Sequence, residues 1–314
     1  MLRRSADSCF WIGRYVERAE AVARLIDVQY HFGLETPLGY AQPNWEPILE
    51  STGGSEAYYS RYEGDFDRNI LFFFAFDETY PNSIASCIRR ARENARSIRE
   101  EISSEMWEHL NTSYHELGNW DIDRVLSVSP HAFFCFVRNV SHLFQGILHR
   151  TLRISDTRNF LDTGRFLERA GQTSRILDTK YRVLGQNGLN GSMDIHGWIS
   201  VLKSVGGFEA FRKTYPGGIT PEHVAAFLIL NGGFPAAVIH CVARVETSLR
   251  RISGNPLGTA PVNSSEREAG RLYYDLRFLS EEELSLLDLH SYLSEIISRC
   301  DDIGSAITKD YLSY

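Results

Sequence analysis

The 314-residue chain is 43% hydrophobic and 23% charged, with a net charge of −7, the balance of a globular protein long enough for one large core or two smaller ones. Its acidity excludes a general binder of nucleic acid or anionic membrane, which needs a basic surface, and no apolar run approaches the roughly 18 residues of a membrane span. Five scattered cysteines (Cys9, Cys87, Cys135, Cys241, Cys300) read as reduced core thiols, and the absence of a leader-like apolar stretch after Met1 predicts a cytoplasmic protein.

From Ser8 to His31 the apolar residues Trp11, Tyr15, Ala19, Val22, Leu25 and Ile26 recur with the helical period, which predicts a long amphipathic helix. Short helices follow around Trp45 to Leu49 and Glu56 to Tyr62, then the apolar run Ile70 to Phe76, broken by Asp77 to Pro81. Pro81 suits a helix start. One long helix is expected from Asn82 to about His109, and another opens at Pro130 and runs through Phe133, Val137, Val140, Phe144 and Ile147. Loops are expected from Gly185 to Ser192 and from Ser253 to Ser265, and no segment alternates with period two. The expected fold is all-α, a multi-helix bundle.

The chain also repeats itself. Gly13-Arg-Tyr-Val-Glu-Arg-Ala19 returns as Gly164-Arg-Phe-Leu-Glu-Arg-Ala170 at an offset of 151. Trp45, Leu49, Gly53, Gly54 and Tyr62 match Trp198, Leu202, Gly206, Gly207 and Tyr215 at an offset of 153, and Pro81, Cys87 and Arg90 match Pro235, Cys241 and Arg244 at 154. Three collinear blocks predict a tandem duplication, with units 1–154 and 155–314 sharing one core.

Rotation of about 100° per residue places Arg14, Glu17, Arg18 and Arg24 on one polar stripe of the first helix, and Arg165, Glu168, Arg169 and Arg175 form its counterpart. Other polar positions have diverged: Glu20 matches Gly171, and Gln29 matches Lys180. If the copies pack about a pseudo-twofold axis, the stripes should meet. Three readings are open. A brace would pair each guanidinium with a carboxylate; an anion site would leave donors free beside a cavity; solvated pairs would do neither. A second charged patch, Arg92, Glu93, Asn94 and Arg96, reads either as a solvated helix face or as an asymmetric site.

No phosphate loop, nucleophile elbow, zinc helix or Glu-x-x-His pair occurs, so no cofactor and no metal are expected. Adjacent residues on a helix point about 100° apart, which argues against His240 and Cys241 as a dyad.

Ser8-Cys-Phe-Trp-Ile-Gly-Arg-Tyr-Val-Glu-Arg-Ala-Glu20, Thr163 to Ala170 and the Arg-rich segment Pro81 to Arg99 resemble the bacterial alpha-E family over nearly the whole chain. That resemblance implies an all-helical protein acting beside a circularly permuted ATP-grasp protein, often near a transglutaminase-like peptidase, in a system that makes amide or peptide bonds. It implies a partner or accessory subunit and carries over no catalytic residue. Two other functions stay open: an independent enzyme acting on a small anionic or amino-acid-like substrate at an Arg/Glu pocket, and a structural helical scaffold. A homo-oligomer is compatible with any of them.

Overall fold

The computed structural model describes residues 1–35, 45–64, 66–186 and 192–312, and among them every regular element is a helix, as the periodicity requires. The first half contains α1 (Arg3–Glu35), α2 (Glu46–Ser51), α3 (Ser55–Tyr59), α4 (Phe66–Ala75), α5 (Ile84–Ser97), α6 (Ser104–Leu117), α7 (Ile122–Val128) and α8 (Pro130–Thr151). The second contains α9 (Asp156–Gln186), α10 (Ser192–Ser204), α11 (Phe208–Thr214), α12 (Pro221–Leu230), α13 (Val238–Ser253), α14 (Ser264–Phe278), α15 (Glu281–Leu286) and α16 (Leu289–Ile307), closed by a π-helical turn, Thr308–Leu312. None of these helices is long and apolar enough to cross a membrane.

Helices α1 and α9 cross at the centre. Their meeting point is Gly13 against Gly164: a Cβ at Gly13 would lie 2.2 Å from the Leu161 carbonyl oxygen, and one at Gly164 would lie 2.0 Å from that of Phe10. Glycine is ordinarily unfavourable inside a helix, and here it is required because each backbone touches the other. Further along, Lys180 Nζ donates to Gln29 Oε1 at 3.3 Å, so two positions that match in the sequence meet in space.

Around this pair, α5 and α8 pack on α1 while α13 and α16 pack on α9; α2 reaches across to α9, and α10 to α1. The buried residues of both halves form one continuous core. Comparable turns recur: Gly53 and Gly206 have φ of 66° and 67°, and the N–H of Gly54 and of Gly207 each donates at 2.7 Å, to Leu49 and Leu202 respectively. Tyr80 stacks on Phe73 at 4.1 Å, as Phe234 does on Phe227 at 4.7 Å.

Three expectations need correction. The single helix from Asn82 to His109 is two, because Ser103 Oγ accepts from Met106 N and starts α6, while the intervening turn buries Ile98 and Ile102. Pro81 precedes the helix start; Ser83 caps α5 by accepting from Ser86 N. Trp45 caps α2, whereas Trp198 lies inside the longer α10, although both indoles are buried. Most of the loop expected from Gly185 to Ser192 lies outside the described residues; the one from Ser253 to Ser265 is present, entered through Gly254 at φ 73°.

Candidate functional site

The two Glu-Arg stripes interlock where α1 and α9 cross. Glu168, 3% exposed, receives Arg14 Nε at 2.8 Å and both Nε and Nη2 of Arg18 at 2.7 and 2.9 Å. Gln172 Nε2 adds a bond at 3.1 Å, and Arg18 Nη1 donates to Asn82 Oδ1 at 2.6 Å. In the opposite direction Glu17, 5% exposed, receives Arg169 Nε and Nη2 at 2.5 and 2.7 Å. Planar guanidinium forks suit such bidentate pairing, so Arg14, Glu17, Arg18, Glu168 and Arg169 brace the crossing.

The two carboxylates nevertheless differ. Burial alone would raise the Glu168 carboxyl, but Arg18, Arg14 and Gln172 outweigh it and hold the group well below the usual carboxylate range. Glu17 has one guanidinium in hydrogen-bond contact; burial is its largest influence and pushes it upward against the pull of Arg169. The missing partner is Arg165, which matches Arg14 in sequence but turns away. Its Nη1 donates to Gln145 Oε1 and its Nη2 lies 3.1 Å from Asp162 Oδ1. Its guanidinium sits 4.1 Å from the Phe166 ring centroid. Arg165 is 6% exposed, and its Nε has no hydrogen-bond partner among the described residues. Burial, reinforced by the nearby Arg169 and Arg244 charges, outweighs Asp162 and Glu17 and lowers its affinity for a proton.

Arg165 and Arg169 line a cavity of about 420 Å³ with Glu17, Glu20, Arg24 and Gln172. Arg24 donates from Nε to Glu20 Oε1 at 2.8 Å and meets His142 Nε2 at 2.9 Å. Glu20 is held down at about 2: burial raises it, and His142, Arg24, Ser141 and Arg169 together outweigh that. A second cavity of about 360 Å³ adjoins the first, sharing Arg24 and Gly206, and is lined also by Asp27, His31, Arg138 and Lys203. A third, of about 380 Å³, holds Arg14, Arg18, Arg175 and Arg182 with Glu168 and Asp178.

Of the eight stripe residues, then, Arg14, Glu17, Arg18, Glu168 and Arg169 meet in ion pairs, Arg24 and Arg165 join Glu17 and Arg169 on the first cavity, and Arg175 lines the third. Among the described residues, Arg175 makes long contacts of 3.4 and 3.5 Å with the exposed Asp301. The patch on α5 is separate. Arg92 donates to Asn111 Oδ1 at 2.9 Å and to Glu93 at 2.6 Å, and lies over Tyr114 at 4.7 Å. Arg96 pairs with Glu93 at 2.8 Å, and the Asn94 carbonyl accepts from Ser97 Oγ. None of the four lines these three cavities, so they form a surface ion-pair set.

Cys9, Cys87, Cys241 and Cys300 are core thiols, and burial pushes Cys87, Cys241 and Cys300 up to about 12. His240 donates to the Gly232 carbonyl and Cys241 to that of Pro235, so they form no dyad. Cys135 departs from the expectation: it is half-buried beside His131 and Arg138. That group, with Asp27 and His31, was legible only as polar residues at i,i+4 spacing, Asp27/His31 and His131/Cys135.

The depressed carboxylates set a pH dependence. A carboxyl whose folded value lies below its unfolded value contributes stability above the unfolded value and loses it as pH falls through the folded one. The melting temperature should therefore drop as pH is lowered from about 4.5 toward about 2, the window of Glu20, with Glu168 extending it further down. Glu17 has the opposite sign, its contribution weakening as pH rises above its unfolded value. Thermal melts across this range should show a shallower acid slope for Glu168→Gln than for the wild type; an unchanged slope would remove Glu168 from the account.

A family model, Alpha-E, described as a predicted alpha-helical domain with a conserved ER motif, matches residues 1–312. Glu-Arg pairs occur at 17–18, 168–169 and 266–267, and the first two are those that interlock at the crossing. The match spans both halves as one domain. No curated protein and no solved structure matches the chain.

Proposed function

The chain belongs to the Alpha-E family, and on that premise we propose that it binds a small carboxylate- or phosphate-bearing molecule beside Arg165 and acts as partner subunit to a circularly permuted ATP-grasp ligase in ATP-dependent amide bond formation. One observation carries the binding reading: Arg24, Arg165 and Arg169 converge with two side-chain amides on the 420 Å³ cavity, and Arg165 is buried there with incomplete hydrogen bonding. A cation buried at a cost in stability is explained by what it binds, since an anion in a low-dielectric cavity would complete its hydrogen bonds. The family resemblance supports the ligase partner.

We further read residues 1–154 and 155–314 as copies of one unit. The matching helix order, the paired turns at Gly53 and Gly206 and the reciprocal Glu-Arg contacts support this. On that reading the third cavity is the counterpart of the first two, and divergence between them leaves one specialised for ligand.

The chain should co-purify with the neighbouring ATP-grasp protein, and the pair should consume ATP when offered the right member of an amino-acid panel. Arg165→Gln should lower that turnover on the order of 100-fold with the complex intact. Ligation by this chain alone would favour an independent enzyme, and a complex indifferent to Arg165→Gln would favour a scaffold.

A further inference from the structure

Asp27 on α1 is buried; both its oxygens reach His131, and each has a further partner of its own. Oδ1 lies 2.9 Å from His131 Nδ1 and 3.5 Å from His31 Nε2, while Oδ2 lies 3.0 Å from His131 Nδ1 and 3.4 Å from Arg138 Nη1. One carboxylate oxygen and two imidazole nitrogens thus stand within 4.8 Å of one another. Ligands at about 2 Å around a tetrahedral Zn(II) stand roughly 3.3 Å apart, so only small side-chain adjustments separate these atoms from a coordination sphere.

The surroundings also fit. A metal-bound imidazole commonly donates its other N–H to an acceptor that fixes its orientation; His131 Nε2 lies 3.2 Å from Cys135 Sγ, which is itself held by Arg138 Nη2 at 2.8 Å. Arg138 on Oδ2 leaves Oδ1 to act as a single ligand. Asp27 and His31 line the 360 Å³ cavity, which has room for water or a substrate atom. The thiol does not read as a nucleophile in a Cys-His-Asp relay: Cys135 lies within α8, where intrahelical bonds occupy the backbone N–H groups that an oxyanion would need.

The second half provides an internal comparison. There His290 Nδ1 contacts Asp178 Oδ1 at 2.5 Å, but the position matching His31 is Arg182, whose Nε lies 3.5 Å from Asp178 Oδ2. An Asp-His contact between helices therefore forms with an arginine as its third member. In the first half a histidine takes that position and the arginine on the carboxylate, Arg138, comes from α8 instead; a second imidazole nitrogen beside the carboxylate is a metal ligand that a brace does not require.

We propose that Asp27, His31 and His131 form a mononuclear site for a divalent first-row transition metal, with Zn(II) the best fit to two imidazoles and one carboxylate and an open position on the side of the cavity. The site adjoins the Arg165 cavity and does not depend on the ligand bound there.

Untagged full-length protein, stripped by chelator and titrated with Co(II), should take up one ion per chain, develop visible d–d absorption and release the ion to Zn(II). His31→Arg copies the trio of the second half, and it should keep the metal-free melting temperature while weakening Co(II) binding by at least roughly 100-fold. His131→Gln, altering an exposed side chain, should weaken it comparably. A wild type that takes up neither Co(II) nor Zn(II), or wild-type affinity in either variant, would overturn the proposal.

Discussion

Gly164→Ala should be the most destabilising one-carbon change in the molecule, costing about 3 kcal/mol and lowering the melting temperature by roughly 5 °C for a chain of this length. The added methyl would sit 2.0 Å from the Phe10 carbonyl oxygen. Its neighbour is helix backbone, which cannot rotate away as a side-chain tip could, so α1 and α9 would have to separate. Separation would stretch the Arg-Glu pairs on both sides of the crossing, which adds to the steric cost. Gly13→Ala meets the Leu161 carbonyl oxygen at 2.2 Å and should behave alike. Gly146 lies in α8 with nothing within 4 Å of its would-be Cβ, so Gly146→Ala should instead be neutral or stabilising by up to about 1 kcal/mol. Urea unfolding of the three variants checks this ordering; a silent Gly164→Ala would mean that the helices do not cross as described.

Glu168→Gln should cost roughly 3–5 kcal/mol, because it leaves two part-buried guanidiniums, Arg14 and Arg18, without the buried carboxylate they share. Glu17→Gln should cost roughly half as much, since a single arginine, Arg169, forms its bidentate pair and burial already favours its neutral form. Equal effects in denaturant unfolding would contradict the asymmetry drawn between the two carboxylates.

Much of this architecture is legible in the sequence. The helical period located the long helices, and the repeated Gly-Arg-x-x-Glu-Arg-Ala named the residues that meet at the crossing. A helix-interior glycine was the least expected member of the motif on propensity grounds, and it is explained only by the backbone contact between the helices. The divergence of Arg14 from Arg165 was hidden because the residues themselves are identical. Its cause lies three positions earlier, where Trp11 in one half matches Asp162 in the other. Arg14 rests over the indole at 5.1 Å and stays with Glu168, whereas Asp162 draws Arg165 away from Glu17.

Other features could not be read from spacing. The break between α5 and α6 falls in a run of good helix formers, and Ser103, by capping α6, starts a new helix where propensity would continue the old one. His131 and Cys135 lie on a helix recognised by its apolar face, and only packing brings them to Asp27 on a helix more than a hundred positions away.

On the proposed function, the Arg/Glu set divides into a brace, in which Arg18 is central, and a cation available to a ligand, Arg165. Thermal melts of wild type, Arg165→Gln and Arg18→Gln, each with and without inorganic phosphate at matched ionic strength, test that division. Comparison between proteins cancels the general stabilising effect of phosphate, leaving the part due to binding of the folded state. Without phosphate, Arg165→Gln should melt close to the wild type, since it removes a cation that burial disfavours but also takes a partner from Asp162, and Arg18→Gln should melt several degrees lower. With phosphate, the wild type and Arg18→Gln should gain more stability than Arg165→Gln, which should show the general effect alone. A phosphate response in Arg165→Gln equal to that of the wild type would contradict the account.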